Sequence, residues 1–426
     1  MEALCSDHLF SQIFLMLCIS AIGKMTKIVF MNISGGGHVI ATFGMVEELV
    51  ARGEEIHYFE DERFRNEIET LGATFHPMPT ITPYEGRVCN YPFHHEFALA
   101  IVLIWSALDL VPKLEEEVRA IAPDCIIHDS LCLWGAIIAK RLEVPAICSV
   151  HPPAFSARTI LRSARFWLDI PQVLFRCAAA LPTFWSLRRT LAEKFKITSP
   201  SFVDVITNPQ DLIICHLPEP LQPQRVCFDQ RYHFVGTVHD RPLQSASAFP
   251  VERLEQGLVL VGFGTICDPG KKFFIKCVRG LSQLGRQVVI ILSDSTTRED
   301  LGEVPKNVIV WSLQQDGLAP QMRILSRAGL FVMNGGTGGT REAGWNGVPV
   351  VAVPTTFETH QVCTRISQTG MGVVIPRTAS AKRIYRAARK VLENDSFSDH
   401  AREVGDACRS AGGAKKSADL ILAHLH

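Results

Sequence analysis

Short apolar runs recur along the chain, and most are followed by a longer stretch with helical spacing of apolar positions. In the first part, the runs cover 27–33, 55–59, 124–128 and 146–149. In the second part, they cover 258–262, 288–292, 308–311, 328–333 and 348–353. Continuous apolar runs of this length are typical of strands that are buried on both faces of a parallel sheet. Their alternation with helices predicts an α/β fold with doubly wound sheets.

The spacing of apolar positions predicts helices over 97–110, 112–121, 134–141, 273–284 and 320–326. The aromatic-rich segment 154–196 predicts amphipathic helices, which either cover the sheet or form an apolar wall for a hydrophobic ligand. The pattern breaks over 222–249, where prolines and a Ser/Ala run are typical of a linker. We therefore predict an N-terminal extension over 1–24, a domain over 25–222, a linker over 223–249 and a domain over 250–426.

The N-terminal extension contains an apolar stretch over 9–22 that is too short to span a membrane. No basic residue precedes it, as one would in a secretory signal, although a signal stays the alternative. Met25 opens the first predicted strand, which favours an extension outside the folded core. No later segment is apolar for long enough to predict a membrane span.

Composition and charge narrow the class of protein. Apolar residues make up 47%, which allows large cores, and the formal net charge is +0 with a pI of about 7.2. This neutral balance argues against nucleic acid as the main partner of the protein, because nucleic-acid binding requires clustered basic charge. The 13 cysteines include no Cys-x-x-Cys pair, and Cys125, Cys148, Cys215 and Cys277 lie in apolar runs. They predict buried thiols in a reducing, cytoplasmic compartment.

The most informative segment is NGGTGGTREAGWNGVPVVAVP, over 334–354, which follows the run at 328–333. Strand, glycine-rich turn, helix and strand form a βαβ unit. Glycines allow backbone N–H groups to approach a ligand, and the helix N-terminus favours a phosphate or diphosphate. A tight turn without a ligand is the alternative, but it does not require so many glycines.

Six segments in shared order resemble glycosyltransferase family 1, in its macrolide glycosyltransferase-like group. They are GGGHVIATFGMVEELVARG over 35–53, PDCIIHDSLCLWG over 123–135, RYHFVGTV over 231–238, VGFGT over 261–265, LAPQMRIL over 318–325 and the glycine-rich segment. The resemblance begins near Met25 and runs to the C-terminus. It implies the GT-B fold, in which two Rossmann-like domains face each other across a cleft. The activity it implies is an inverting transfer of a hexose, from a UDP-linked donor to a hydroxyl of a hydrophobic small molecule, without a metal or other cofactor.

Two residues match the catalytic positions of that family. His38 is predicted to close a glycine-rich loop over 34–38, where a neutral imidazole can take the proton of the acceptor hydroxyl. Asp129, after the strand at 124–128, can orient His38 and stabilise its cation. The alternatives are a capping or buried histidine and a helix N-cap aspartate. We expect the neighbouring His128 to be buried in its strand.

The same resemblance implies a set of donor contacts. Glu342 matches the acid that binds both ribose hydroxyls, Glu358 matches an acid that binds the sugar hydroxyls, and Gln321 lies in the uracil-facing loop. A solvated loop carboxylate is the alternative for Glu358. The remaining contacts are Gly37, Gly264, Thr265, Asn334, Gly335, Gly336, Gly338 and Gly339. No Asp-x-Asp or clustered His/Asp spacing suggests a metal site.

Four positions depart from the family pattern. Asn334 stands in place of a histidine, Leu318 in place of an aromatic, Thr359 in place of a glutamine and Ala41 in place of a proline. Three of these touch the donor, so an accessory or binding protein with weakened catalysis is the main alternative function. A nucleotide-dependent oxidoreductase is disfavoured, because Gly35 and Gly37 are followed by Ile40 where its fingerprint requires glycine.

Overall fold

Two parallel sheets organise this computed structural model, which describes residues 25–79, 95–162, 180–237, 249–264, 269–293, 295–316 and 319–425. The first sheet contains β1 (Lys27–Met31), β2 (Glu55–Glu60), β3 (Thr74–Pro77), β4 (Cys125–Asp129), β5 (Ala146–Val150), β6 (Leu212–Cys215) and β7 (Tyr232–Phe234). The second contains β8 (Leu258–Gly262), β9 (Val288–Leu292), β10 (Val308–Ser312), β11 (Ala328–Met333), β12 (Val350–Ala352) and β13 (Gly372–Val374). Their orders are β3-β2-β1-β4-β5-β6-β7 and β10-β9-β8-β11-β12-β13.

Helices connect most of these strands and cover both faces of each sheet. In the first half they are α1 (Gly36–Ala51), α2 (Arg65–Thr70), α3 (His95–Ile121), α4 (Leu133–Leu142), α5 (Ala157–Arg162), α6 (Leu181–Phe195) and α7 (Phe202–Thr207). In the second half they are α8 (Lys271–Leu281), α9 (Leu313–Asp316), α10 (Gln321–Leu325), α11 (Thr337–Trp345), α12 (Phe357–Thr369), α13 (Ala381–Leu392), α14 (Ser396–Ser410) and α15 (Gly413–Leu425). The predicted α/β fold is confirmed.

The strands are apolar on both sides because each sheet is buried between two layers of helices. Along β1, Val29 and Met31 pack into one hydrophobic core, while Ile28 and Phe30 pack into the core on the opposite face. Alternate residues of a strand point to opposite faces, so a strand covered on both sides requires apolar residues throughout. Cys125, Cys148, Cys215 and Cys277 are buried free thiols, as predicted.

Each sheet has one point where the strand order reverses direction. In the first sheet it lies between β1 and β4, and in the second it lies between β8 and β11. In open α/β sheets, ligands bind at such points, beyond the carboxyl ends of the strands. The loop after β1 leads to His38, Asp129 is the last residue of β4, and the glycine-rich turn follows β11. The topology therefore brings the predicted catalytic pair together.

Helix α3 is continuous from His95 to Ile121, although we predicted two helices separated at Pro112. A proline inside a helix removes the hydrogen bond to the carbonyl four residues earlier. That carbonyl belongs to Leu108, and it accepts a hydrogen bond from Lys194 Nζ at 2.9 Å. Because α6 supplies this replacement donor, the helix passes through Pro112 unbroken.

Helix α6 covers α3 with an apolar face made of Phe184, Leu187, Leu191 and Phe195. Helix α6 thus packs on the helical layer that covers the first sheet, and the predicted apolar wall for a hydrophobic ligand stays a prediction. Residues 163–179 lie outside the described part of the chain.

The boundary between the two halves in space differs from the boundary predicted in the sequence, because β7 and α15 both pack with the first sheet. Strand β7 pairs with β6 in the first sheet, so the first half extends into the predicted linker over 223–249. Helix α15, from the end of the chain, packs against α1, and its Ala418 and Ile421 belong to the core of the first sheet. Arg52 Nη1 and Asp419 Oδ1, 2.6 Å apart, link the same two helices. The predicted extension over 1–24 lies outside the described residues.

Candidate functional site

We predicted that His38 closes a loop over 34–38, but in the structure it lies in the first turn of α1. The helix begins at Gly36, after Gly35 in an extended conformation, and the backbone N–H of His38 donates to the Gly35 carbonyl at 2.8 Å. Helical structure therefore starts earlier than expected, and Gly35, with a φ of −91° and a ψ of 122°, is ordinary extended backbone. The imidazole is mostly buried, with 14% of its side chain exposed. A Cβ on the adjacent Gly37 would meet nothing within 4 Å, so open space adjoins the turn.

Asp129 is the last residue of β4 and is fully buried. Strands β1 and β4 are neighbours, with Met31 paired with His128, so the segments that follow them start side by side. His38 Nδ1 lies 2.5 Å from Asp129 Oδ2, and the backbone N–H of Leu131 donates to Asp129 Oδ1 at 2.7 Å. The structure thus joins the two predicted catalytic residues in one hydrogen-bonded pair. His128 is buried, as expected.

His38 and Asp129 each favour the charged form of the other. Burial lowers the pKa of His38, but the attraction and the hydrogen bond of Asp129 outweigh it, so the pKa is raised above its usual value. Burial opposes ionisation of Asp129, yet the charge of His38, the neighbouring His151 and the Leu131 N–H keep the pKa of that carboxyl below its usual value. A buried carboxylate beside an imidazole fixes the ring and stabilises its cation.

Three further buried residues extend this pair and were missed from the sequence. His151 Nε2 lies 3.5 Å from Asp129 Oδ2 and 3.1 Å from the Ser149 hydroxyl. The same hydroxyl lies 2.8 Å from His216 Nε2, and the rings of His151 and His216 are stacked with centroids 4.3 Å apart. These residues come from the ends of β5 and β6. The sequence did contain a signal for them, because His151 and His216 each directly follow an apolar run, at the carboxyl end of a strand.

A buried arginine connects the two halves. Arg341 lies in α11, the helix after the glycine-rich turn, and its Nη1 donates to the His216 carbonyl at 2.8 Å. The next residue, Glu342, accepts a hydrogen bond from the Gln321 amide. Burial raises the pKa of Glu342, against the opposing effects of Gln321 and Arg341. The two predicted donor residues Glu342 and Gln321 are therefore neighbours, close to the boundary with the first half.

The glycines of the donor turn fall into two groups. A Cβ on Gly338, or on Gly264 with its φ of +70°, would meet nothing within 4 Å. By contrast, a Cβ on Gly335 would collide with Cys363 Sγ, and one on Gly339 would lie 3.2 Å from Met333 Sδ. Packing explains Gly339, and packing together with a φ of +78° explains Gly335, whereas Gly338 and Gly264 border open space, as a diphosphate site requires. Their donor roles stay predictions, and Thr265 lies outside the described residues.

Asn334 takes part in the turn itself. Its Oδ1 accepts the backbone N–H of Gly336 at 3.0 Å. This N–H group is one of those predicted to face phosphate, so in this structure it is satisfied by the protein. A histidine at this position, which the family usually has, would not offer that carbonyl oxygen.

Glu358 and Thr359 lie at the start of α12. Thr356 and Thr359 form reciprocal capping hydrogen bonds, and Thr359 is 2% exposed. The threonine that replaces the usual glutamine thus holds the helix end, and Glu358 belongs to the first helical turn. The charge of Glu358 is among the groups that raise the pKa of His38, after Asp129. A carboxylate of the second half is therefore close enough to His38, the predicted base, to influence its charge. Leu318 lies outside the described residues.

A group of three side chains offers atoms of the kind that bind metals. In the described ranges, His38, Asp129 and His151 have such atoms within 4.8 Å of one another. Sequence spacing did not reveal this group, because its members follow three different strands. Within this group, His38 Nδ1 is already hydrogen-bonded to Asp129 Oδ2. Glu60, also buried near the pair, has a pKa raised by burial to about 8.

The described residues contain no helix that is both long and apolar enough to cross a membrane.

Comparison with known proteins gives a consistent result. The profile described as "Erythromycin biosynthesis protein CIII-like, C-terminal domain" matches residues 277–415. The NDP-glycosyltransferase YjiC of Bacillus subtilis (strain 168) is 26% identical over 408 residues, which cover 94% of this chain and 98% of YjiC. The oleandomycin glycosyltransferase of Streptomyces antibioticus is 25% identical over 411 residues, which cover 93% of this chain and 90% of that enzyme.

Solved structures give the same architecture. The glycosyltransferase of kitacinnamycin superposes with a TM-score of 0.77 at 21% identity, covering 94% of this chain and 99% of that one. The calicheamicin glycosyltransferase CalG4 superposes with a TM-score of 0.72 at 24% identity, covering 94% and 98%. These superpositions confirm the predicted arrangement of two Rossmann-like domains facing across a cleft.

Proposed function

Since the chain is a GT-B glycosyltransferase of the macrolide type in family 1, we propose that it transfers a hexose from a UDP-sugar to a hydroxyl of a hydrophobic small molecule. The observation that carries the proposal is the contact between His38 Nδ1 and Asp129 Oδ2. A carboxylate there favours the tautomer with hydrogen on Nδ1. The lone pair of the ring is then on Nε2, where a base requires it.

In the proposed reaction, His38 Nε2 takes the proton of the acceptor hydroxyl while the oxygen bonds to the anomeric carbon of the sugar. The bond between that carbon and the diphosphate oxygen breaks, and UDP leaves with the electron pair. Attack opposite the leaving group inverts the anomeric centre. Asp129 stabilises the imidazolium, and the turn with Gly338 and the N-terminus of α11 stabilise the departing diphosphate.

The relatives support the substrate class. Among them are enzymes named demethyllactenocin mycarosyltransferase and oleandomycin glycosyltransferase. Those names refer to demethyllactenocin and oleandomycin, so a small-molecule acceptor of a similar kind is proposed for this chain. The loops over 83–95 and 154–167, from which we expect the acceptor pocket, lie mostly outside the described residues.

The main alternative is a binding or accessory protein with weakened catalysis. It is favoured by the Asn334 side chain, which occupies the Gly336 N–H that a phosphate would otherwise use. An assay of UDP release with mixed sugar donors and hydrophobic hydroxyl acceptors separates the two. Donor-dependent release that requires an acceptor supports transfer, whereas donor binding without any release supports the alternative.

The donor turn provides one prediction. Glu342→Ala is expected to weaken UDP-sugar binding about 100-fold, because the ribose loses a carboxylate that accepts two hydroxyl donors. Asn334→His is expected to tighten binding, since a histidine adds a charge-assisted hydrogen bond to phosphate and releases the Gly336 N–H. Calorimetric titration with UDP, UDP-glucose and a dTDP-sugar measures both.

The matched control is Glu303→Ala, an exposed carboxylate in the same half, which should leave every affinity unchanged. If Glu342→Ala binds all three ligands like the wild type, the turn does not hold a nucleotide sugar. If Asn334→His weakens UDP but tightens the dTDP-sugar, the native donor differs from UDP.

A second prediction concerns metals. We expect transfer to keep its full rate in EDTA, because the N-terminus of α11 and the turn can stabilise the diphosphate without a cation. The assay is run with protein dialysed against EDTA, then with Mg²⁺ or Zn²⁺ added back. A rate that collapses in EDTA and returns with one of the ions would contradict the metal-free mechanism and direct attention to His38, Asp129 and His151.

A further inference from the structure

We propose that His151 is a positioning residue for the catalytic pair, which presents an Nε2–H to Asp129 and holds that carboxylate in line with His38. The inference rests on the proposed function where it concerns His38 as the base. Its structural part concerns the tautomers of two buried histidines.

The contacts of His151 converge on Nε2. This nitrogen lies between two oxygens, Ser149 Oγ at 3.1 Å and Asp129 Oδ2 at 3.5 Å. The ring of His151 lies 4.9 Å from that of His38, between centroids, and is almost fully buried. His151 Nδ1 is buried without a hydrogen-bond partner in the structure, so the polar interactions of the ring depend on Nε2.

The hydrogen positions follow from the charge of Asp129. Burial makes imidazolium unfavourable, so a neutral His151 carries one N–H. With the hydrogen on Nδ1, the Nε2 lone pair would face the carboxylate and repel it. With the hydrogen on Nε2, the N–H faces both Asp129 and Ser149, so this tautomer is selected.

The tautomer of His151 determines the direction of the hydrogen bonds that follow, through Ser149 to His216. Ser149 then accepts from His151 and donates its hydroxyl hydrogen to His216 Nε2 at 2.8 Å. His216, also neutral because of burial, then carries its hydrogen on Nδ1, a buried atom for which the structure shows no hydrogen-bond partner. Its backbone carbonyl is fixed by Arg341 Nη1 from the second half. A one-directional row of hydrogen bonds thus leads to Asp129 Oδ2, the same oxygen that His38 Nδ1 contacts.

This arrangement explains why two imidazoles are buried at the switch point of the first sheet. Asp129 accepts hydrogen bonds from His38 and Leu131, and His151 adds a third N–H close to Oδ2. A carboxylate approached from several directions cannot rotate away from His38. The groups that hold a catalytic side chain in place contribute to rate without touching substrate.

The test begins with the tautomers, in the full chain without ligand. ¹⁵N chemical shifts of labelled histidines distinguish Nδ1–H from Nε2–H, and the variants His151→Phe and His216→Phe assign the two signals. We expect His151 as Nε2–H and His216 as Nδ1–H. The opposite tautomer at His151 would overturn the proposal, whatever the activity of the protein.

Kinetics of three variants then test the effect on the rate. His151→Phe keeps the ring but not the N–H, and should lower kcat about 10-fold with little change in the donor KM. His151→Gln offers an amide N–H at a similar reach, and should recover most of the rate. Ser149→Ala removes the link to His216 and should give a smaller loss. His57→Phe is the matched control, because His57 also has a histidine neighbour but is only partly buried and lies outside the catalytic pair.

The possible results are distinct. Equal losses in the Phe and Gln variants, parallel to a fall in thermal stability, indicate a packing role and overturn the proposal. If the wild type transfers no sugar from any donor, the proposed function fails, while the tautomers still decide the structural part. If His151→Phe does not fold, the tautomers together with His151→Gln and Ser149→Ala carry the test.

Discussion

His38→Ala is expected to lower kcat for sugar transfer by about 10²–10⁴-fold, the usual contribution of a general base. The substitution removes the only atom proposed to take the proton of the acceptor hydroxyl. His38 lies in the first half, whereas Glu342 and the glycine-rich turn belong to the second half. We therefore expect the affinity for UDP, measured by calorimetry, to survive.

The control for this variant is His424→Ala, an exposed histidine on α15, which should transfer sugar like the wild type. A His38→Ala rate within a few-fold of the wild-type rate would remove His38 from the mechanism. Loss of UDP binding together with activity would indicate a disrupted fold, which thermal unfolding of the variant detects.

Asp129→Asn is expected to lower kcat by about 10³–10⁴-fold, as the loss of the acid does in a catalytic triad. The amide keeps the shape of the carboxylate but removes its charge and allows the wrong tautomer of His38.

The pH dependence of kcat/KM provides a more specific test of the same variant. Asp129 raises the pKa of His38 against the effect of burial. Without it, the pKa falls, so the rising limb of kcat/KM against pH should move to lower pH.

Asp124→Asn is the matched control, because Asp124 precedes β4 while Asp129 ends it. Its Oδ2 accepts the Lys27 N–H at 2.9 Å, so it has a structural contact far from His38. This variant should keep the position of the pH limb. A limb that stays in place in Asp129→Asn would show that His38 does not titrate under the influence of Asp129.

Much of the fold followed from apolar runs and turn chemistry. The predicted strands at 258–262, 288–292 and 328–333 coincide with β8, β9 and β11. Buried parallel strands are short and apolar throughout, so their signal is local. Four of the described strands were not predicted. Three of them, β3, β7 and β13, are edge strands that carry partly exposed residues, whereas β6 is an internal, fully buried strand of only four residues.

Errors arose where a distant residue alters a local preference. Pro112 predicted a helix break, but Lys194 satisfies the carbonyl that the proline leaves unpaired. His38 was placed in a loop because its glycines suggested one, whereas the chain enters α1 directly. The pairing of His38 with Asp129 was predicted through the family resemblance. His151, Ser149 and His216 were missed, because their proximity depends on the order of strands in the sheet and leaves no spacing pattern.

The packing of α15 has a consequence for how the protein is made. Its Ala418 and Ile421 complete the core that contains β1 and the buried face of α1, the helix that carries His38. On a ribosome, the N-terminal half emerges first and folds while synthesis continues. That half keeps an uncovered apolar face until α15 has been translated. The final packing around α1, and so around His38, is therefore reached only after α15 has been synthesised, which leaves a long interval in which chaperones can act.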